Sequence, residues 1–128
     1  MFTHIMVGAS ALEASKPFYD AVLGVLGAKG PMRDGDRYFY HGGGVNFAIT
    51  KPIDGNPPTF ANGGTIGFRA ENPEQADAFH AAGLANGGTA CENPPGIRSS
   101  EFGDLYIAYL RDPDGNKICA LHRVPKSD

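Results

Sequence analysis

"YLRDPDGNKICALHR", Tyr109 to Arg123, is the stretch on which the reading of this chain turns. An aromatic and apolar run meets a tight turn of Asp, Pro and Gly, and a second apolar run follows that carries a thiol and an imidazole. Asp-Pro and Asp-Gly favour a turn because proline presets φ, glycine accepts positive φ and aspartate bonds its own backbone. The flanking runs are short and rich in strand-forming residues, so the stretch predicts a β-hairpin. Alternation along a strand then places Ile107, Tyr109 and Arg111 on one face of the first arm. It places Cys119 and Leu121 on one face of the second, with Ile118, Ala120 and His122 pointing the other way.

Upstream of the hairpin the same order of elements occurs twice. "FTHIMVGA" reads as a strand and "SALEASKPFYDAVLGVLG" as a helix, with Ser10 and Glu13 spaced as a capping box and Pro17 predicting a kink or early break. "DRYFYHGG" and "VNFAITKP" follow as strands joined by a glycine turn. "DGNPPTFANGG" is too rich in Pro, Gly and Asn for regular structure and reads as a linker. The order then restarts with strand "GGTIGFRAE", helix "NPEQADAFHAAGLANGG" capped by Asn72 with Pro73 and Gln75, strand "TACEN", and the hairpin. An offset of 61 lays His4 over Thr65, Phe18 over Phe79 and Leu23 over Leu84, and an offset of 71 lays Tyr38 over Tyr109 and Ala48 over Cys119. The second copy thus carries about ten more residues, assigned to an inserted loop, "ENPPGIRSSEFGD". The expected fold class is α+β: a single domain, 1–128, of two tandem βαβββ modules, at about 1–52 and 63–124, with a linker at about 53–62.

Composition narrows the function. With a net charge of −3 and no basic stripe, the chain lacks the surface that nucleic acid requires. The longest apolar run, Ala21 to Ala28, is far too short to span a bilayer, and the N-terminus has no secretion signal. A cytoplasmic protein with Cys91 and Cys119 both reduced is expected, acting on small molecules or protein partners.

Tandem βαβββ modules, the strand histidine and Phe-Tyr helix of "FTHIMVGASALEASKPFYDAVLG", and the Asp-Pro-Asp-Gly hairpin resemble the vicinal oxygen chelate superfamily. That superfamily holds glyoxalase I, bleomycin- and fosfomycin-resistance proteins and extradiol dioxygenases. The resemblance covers nearly the whole chain. It implies that each module curls its sheet into half of a cup, with helices outside and a divalent metal inside held by one residue from each of four strands. It also implies a homodimer, with cups often built across the interface. His4 matches the first ligand position. The other three fall at Ala48, Thr65 and Cys119, where metal-dependent members usually carry Glu, His and Glu. Hard divalent cations need carboxylate oxygen and zinc needs three strong ligands, so a family-type metal cofactor is not expected.

The expected site is therefore an aromatic cup. Tyr38 and Tyr40 from the first module face Ile107, Tyr109 and Leu121 from the second, with Thr65 on the wall, Arg111 near the rim, and Arg98 gripping an anion from a mobile loop. His4 and Cys119 are the candidates for chemistry, provided a cation such as His4 draws out the Cys119 thiolate. His41 is expected to be exposed beside a turn, His80 to be structural on a helix, and His122 to face away from the cup. Three functions are compatible with these residues: a small-molecule binder, a glyoxalase-like lyase or isomerase of the lactoylglutathione lyase type or a thiol transferase, and a dimerising scaffold with a filled cup.

Overall fold

The computed structural model describes residues 1–126. The first module runs β1 (His4–Gly8), α1 (Leu12–Val25), β2 (Lys29–Asp34), β3 (Arg37–Gly42) and β4 (Val45–Thr50). The second runs β5 (Ile66–Arg69), α2 (Pro73–Ala85), β6 (Thr89–Ala90), β7 (Gly96–Ser100), β8 (Gly103–Arg111) and β9 (Lys117–Arg123). No helix or strand forms between Thr50 and Ile66. In each module the first strand lies parallel to the last, and the remaining pairs are antiparallel, giving sheet orders β1-β4-β3-β2 and β5-β9-β8-β6. The two sheets share no hydrogen-bonded strands among the described residues and stay open.

β6 and β7 are two pieces of one interrupted strand. β6 pairs with Leu110 and Arg111 while β7 pairs with Gly103 through Ile107, both on the flank of β8 away from β9. Cys91 to Pro95 bulge out between them. The segment expected as a mobile inserted loop is therefore largely a paired strand, and "TACEN" keeps only Thr89 and Ala90 in the ladder. β2 in the first module was not foreseen, because "KGPMRD" has neither apolar alternation nor β-branched residues. It forms because β3 offers it a free edge, with a register shift between Lys29 and Met32.

The early break expected at Pro17 and the cap expected at Ser10 are corrected. Pro17 lies inside α1 without ending it. The carbonyl it leaves unpaired belongs to Glu13, and both residues are exposed, so water can satisfy the lost bond. Ser10 is not the N-cap either. Ala11 holds that place with no side-chain cap, Ser10 donates instead to Asp114, and Glu13 accepts from the Tyr38 hydroxyl at 2.7 Å. At α2 the cap forms as expected: Asn72 accepts from the Gln75 amide at 2.8 Å, and the Gln75 side chain reaches back to the Glu71 amide.

One core serves both modules. Phe18, Tyr19 and Val22 of α1 pack with Phe79 and Ala76 of α2 between the helix-facing sides of the sheets, and the Phe47 and Phe68 rings meet edge-on at 5.2 Å across the modules. The Asp-Pro-Asp-Gly turn locks this arrangement. Asp112, buried, accepts from the Tyr19 hydroxyl at 2.6 Å and from the Asn116 side chain at 2.8 Å. Asn116 in turn donates to the Gly8 carbonyl. Asp114 accepts from Ser10 and Ser15 at the start of α1, where a carboxylate also complements the helix dipole. The most distinctive motif of the sequence is thus a latch between modules.

Candidate functional site

Register sorts every strand residue onto a helix-facing side or an open side. Phe47 and Ile49 join the core, so Asn46, Ala48 and Thr50 face the open side together with their neighbours His4, Met6, Phe39 and His41. In the second module Ala108, Leu110, Ile118 and Ala120 join the core. Leu105, Ile107, Tyr109, Arg111, Lys117, Cys119, Leu121 and Arg123 then face outward.

Tyr38 and Tyr40 therefore do not line the open face. Both are buried against α1, where Tyr38 donates to Glu13 and Tyr40 to Asp20, each at 2.7 Å. Burial and the Asp20 carboxylate push the Tyr40 phenol far above its ordinary value, so it stays a neutral donor. The misplacement has a geometric source. The first hairpin closes on the two residues Gly43 and Gly44, both at positive φ, whereas the second closes on the five residues Asp112 to Asn116. The lengths differ by an odd number, so one offset cannot serve both arms. Tyr38 pairs with Ile49 but Tyr109 with Cys119, and the true counterpart of Tyr109 is Phe39.

His4, Ala48, Thr65 and Cys119 are the four residues that the resemblance sets at metal-ligand positions. His4 is exposed with Nδ1 2.9 Å from the Thr3 hydroxyl, and Thr65 is exposed just ahead of β5. Ala48 is fully buried and offers only a methyl group. Cys119 is 4% exposed, and burial pushes its thiol up to about 11. The groups acting on it are Lys117, Glu92 and Cys91; His4 is not among them. At neutral pH the sulfur is a protonated thiol, which is neither a base nor a strong ligand. One imidazole, one neutral hydroxyl, one methyl and one buried thiol do not fit a hard divalent cation, whether drawn from one chain or pooled from two. Among the described residues no three His, Cys, Asp or Glu side chains cluster as a metal site.

The second module's open face has a definite character. Tyr109 is half-buried, with Lys117 Nζ 4.9 Å and Arg98 Cζ 5.9 Å from its ring centre. Lys117 forms an ion pair with Glu92. Arg98 sits in β7, its guanidinium donating to the carbonyls of Asn93, Pro94 and Gly96, so it braces the bulge and does not hang from a loose loop. Arg111 donates to the Gly115 carbonyl at 2.7 Å and lies over the Phe60 ring. Ile107 is buried and Leu121 half-buried beside Cys119. Gly67 of β5 completes the floor: a methyl group placed there would sit 3.4 Å from the Cys119 sulfur. His41 is exposed and bonded to Asn46, His80 is half-buried on α2, and His122 turns from this face, its Nδ1 3.2 Å from the Ala70 carbonyl.

Gly67, Arg69, Lys117 and Arg123 were not singled out from sequence. Parity from Cys119 already puts Lys117 and Arg123 on its face. Arg69 needed the pairing of β5 with β9. Two cavities open at these surfaces. One, about 750 Å³, lies where the Pro-rich linker folds over the end of β3 and β4, lined by Arg37, Thr50, Lys51 and Pro58. The other, about 600 Å³, runs along β5 and β9, lined by Gly67, Arg69, Leu121 and Arg123.

Comparison with known proteins agrees with this architecture. Residues 2–120 match the model of the Glyoxalase/Bleomycin resistance protein/Dioxygenase superfamily. The chain belongs to that superfamily. It is similar to a glyoxalase/bleomycin resistance protein from Albidiferax ferrireducens T118, with 62% identity over 96% of this chain and 99% of that one, at a TM-score of 0.93. A glyoxalase-related enzyme from Fulvimarina pelagi shares the fold at 19% identity, covering 96% of this chain and 88% of that one, with a TM-score of 0.71. So does a glyoxalase/bleomycin resistance protein/dioxygenase family enzyme from Burkholderia phytofirmans PsJN, at 15% identity, 95% and 98% coverage and a TM-score of 0.70. No curated protein matches the chain in sequence. No helix among the described residues is long and apolar enough to cross a membrane.

Proposed function

We propose that this protein binds a small organic molecule against the open faces of its sheets, without the divalent metal that carboxylate-bearing relatives hold, as a homodimer in the cytoplasm. The observation that carries this reading is the surface around Tyr109: an aromatic ring flanked by two cations above a glycine and cysteine floor. A planar or amphipathic ligand can lie against that ring and floor. Phe39, Met6 and His4 give the first module's open face an apolar and imidazole character that suits the other side of such a ligand. The sheets are open, and Met32, Ile97 and Phe102 are exposed at their outer strands and turn, which favours a second copy as the element that encloses the ligand.

Lyase, isomerase or thiol-transfer chemistry by His4 and Cys119 is the less favoured reading, because the thiol stays protonated and the imidazole does not act on it. A binding screen of small aromatic acids, with and without added Mn, Ni or Zn ions, tests the proposal. Saturating ligand at about 100 times its Kd raises stability by about 2.7 kcal/mol, read as a shift in Tm. The shift is expected to be independent of metal and to vanish in Gly67→Leu, which fills the floor. A tightly held stoichiometric metal, or binding that requires one, overturns the reading. A ligand recovered chemically altered, with turnover abolished by Cys119→Ala and His4→Ala, would replace it with an enzyme.

A further inference from the structure

The strand residues on the open face of the second module are strongly one-sided in charge. Across β5, β7, β8 and β9 it carries Arg69, Arg98, Arg111, Lys117 and Arg123 and no carboxylate, although the whole chain has a net charge of −3. Three of these cations are already engaged: Lys117 with Glu92, Arg98 with the bulge carbonyls, and Arg111 with Gly115 and Phe60. Arg69 and Arg123 have no hydrogen-bond or ion-pair partner among the described residues, and both are exposed.

The two are neighbours. Arg69 lies opposite Leu121, and Arg123 is the next residue on that face of β9, so they stand diagonally across the β5–β9 pair within reach of one another's side chains. Both line the 600 Å³ cavity with Leu121 and Gly67; beyond it on the same face, Gly67 pairs with Cys119 and Cys119 with Tyr109 on β8. Glu71 and His122 also line the cavity. Glu71 follows the end of β5 and forms no ion pair with either arginine, and His122 belongs to the opposite face of β9.

We infer that Arg69 and Arg123 form an anion subsite that receives a phosphate or carboxylate group of the bound molecule, whose remaining body lies over Gly67 and Cys119 toward Tyr109. The inference rests on the open face being the ligand surface. Two arginines on adjacent strands that line one cavity suit such an oxyanion, since each guanidinium presents paired N–H donors matched to two of its oxygens. The ligand class is thus an acid with an aromatic or apolar body. A neutral molecule would leave two exposed charges unused at the end of its own groove.

The test is an NMR titration of the labelled protein with three probes: inorganic phosphate, phenyl phosphate and neutral benzyl alcohol. Phosphate and phenyl phosphate are expected to shift the amides of Gly67, Arg69, Leu121 and Arg123 saturably. Arg69→Gln and Arg123→Gln should each weaken that binding about tenfold, and added salt should weaken it further. Benzyl alcohol should shift only Tyr109 and Cys119, equally in wild type and variants. Phosphate shifts that are absent, spread over unrelated surface cations or unchanged in the variants overturn the anion subsite while benzyl alcohol still reports the groove. Failure of all three probes to saturate at any open-face residue overturns both the subsite and the binding reading beneath it.

Discussion

Cys119 is one of the two residues expected to carry chemistry, and its surroundings decide what it can do. A buried thiol beside Gly67, with the aromatic ring of Tyr109 opposite and no imidazole acting on it, behaves as a small apolar side chain. Cys91, half-buried in the bulge, is also pushed up, by burial first and then by Glu92, while Arg111 and Lys117 act to lower it. Alkylation of the native protein at pH 7.5 is therefore expected to label Cys91 first and Cys119 much more slowly. Labelling of Cys119 should accelerate as pH rises toward about 11, where the thiolate forms. Mass spectrometry of the labelled chain measures both rates; a Cys119 that reacts faster than Cys91 at neutral pH would restore it as a candidate nucleophile.

At the scale of elements, the helices approach each other at a glycine. A methyl group on Gly83 of α2 would lie 2.4 Å from Leu110 Cδ1, 3.1 Å from Phe18 and 3.3 Å from Val22, all fully buried side chains. Gly83→Ala gains up to about 1 kcal/mol of helix propensity but forces the core apart at a cost of about 1–3 kcal/mol, so it is expected to lower Tm. Gly24, exposed in α1 with nothing within 4 Å, has no such neighbours. Gly24→Ala should raise stability by up to about 1 kcal/mol. Opposite signs for the same substitution in two helices, read by thermal unfolding, check that Gly83 is the packing point; like signs would remove that role. The strands carry a second lesson about elements. Alternation placed Cys119, Leu121 and His122 correctly from the hairpin alone. It failed for Tyr38 and Tyr40 because their face was borrowed from the other module through an offset that the unequal hairpin turns do not support.

Across the whole molecule, the Asp-Pro-Asp-Gly turn makes two modules into one unit. Asp112 takes hydrogen bonds from Tyr19, Asn116 and the Asp114 amide, and Phe47 and Phe68 make an apolar contact between the modules. A shared core and a buried polar latch predict a single cooperative transition by calorimetry and by circular dichroism. Asp112→Ala leaves the Tyr19 hydroxyl and the Asn116 amide without their buried acceptor and should cost about 3 kcal/mol, still in one transition. Two resolved transitions in the wild type would mean the modules fold independently.

The amino-acid sequence alone determined the periodicities, the N-cap of α2, the doubled order of elements and hence the fold family, because these depend on neighbours a few residues apart. The resemblance read from it set His4, Ala48, Thr65 and Cys119 at the metal-ligand positions, and that none of the four is a carboxylate is a matter of residue identity. Only the tertiary structure decided which tyrosines face α1, that Arg98 braces a strand, that Arg69 and Arg123 share one groove, and that the acidic turn latches the modules. Each of these rests on register between strands or on burial between modules, and both are set by side chains that meet across long stretches of chain.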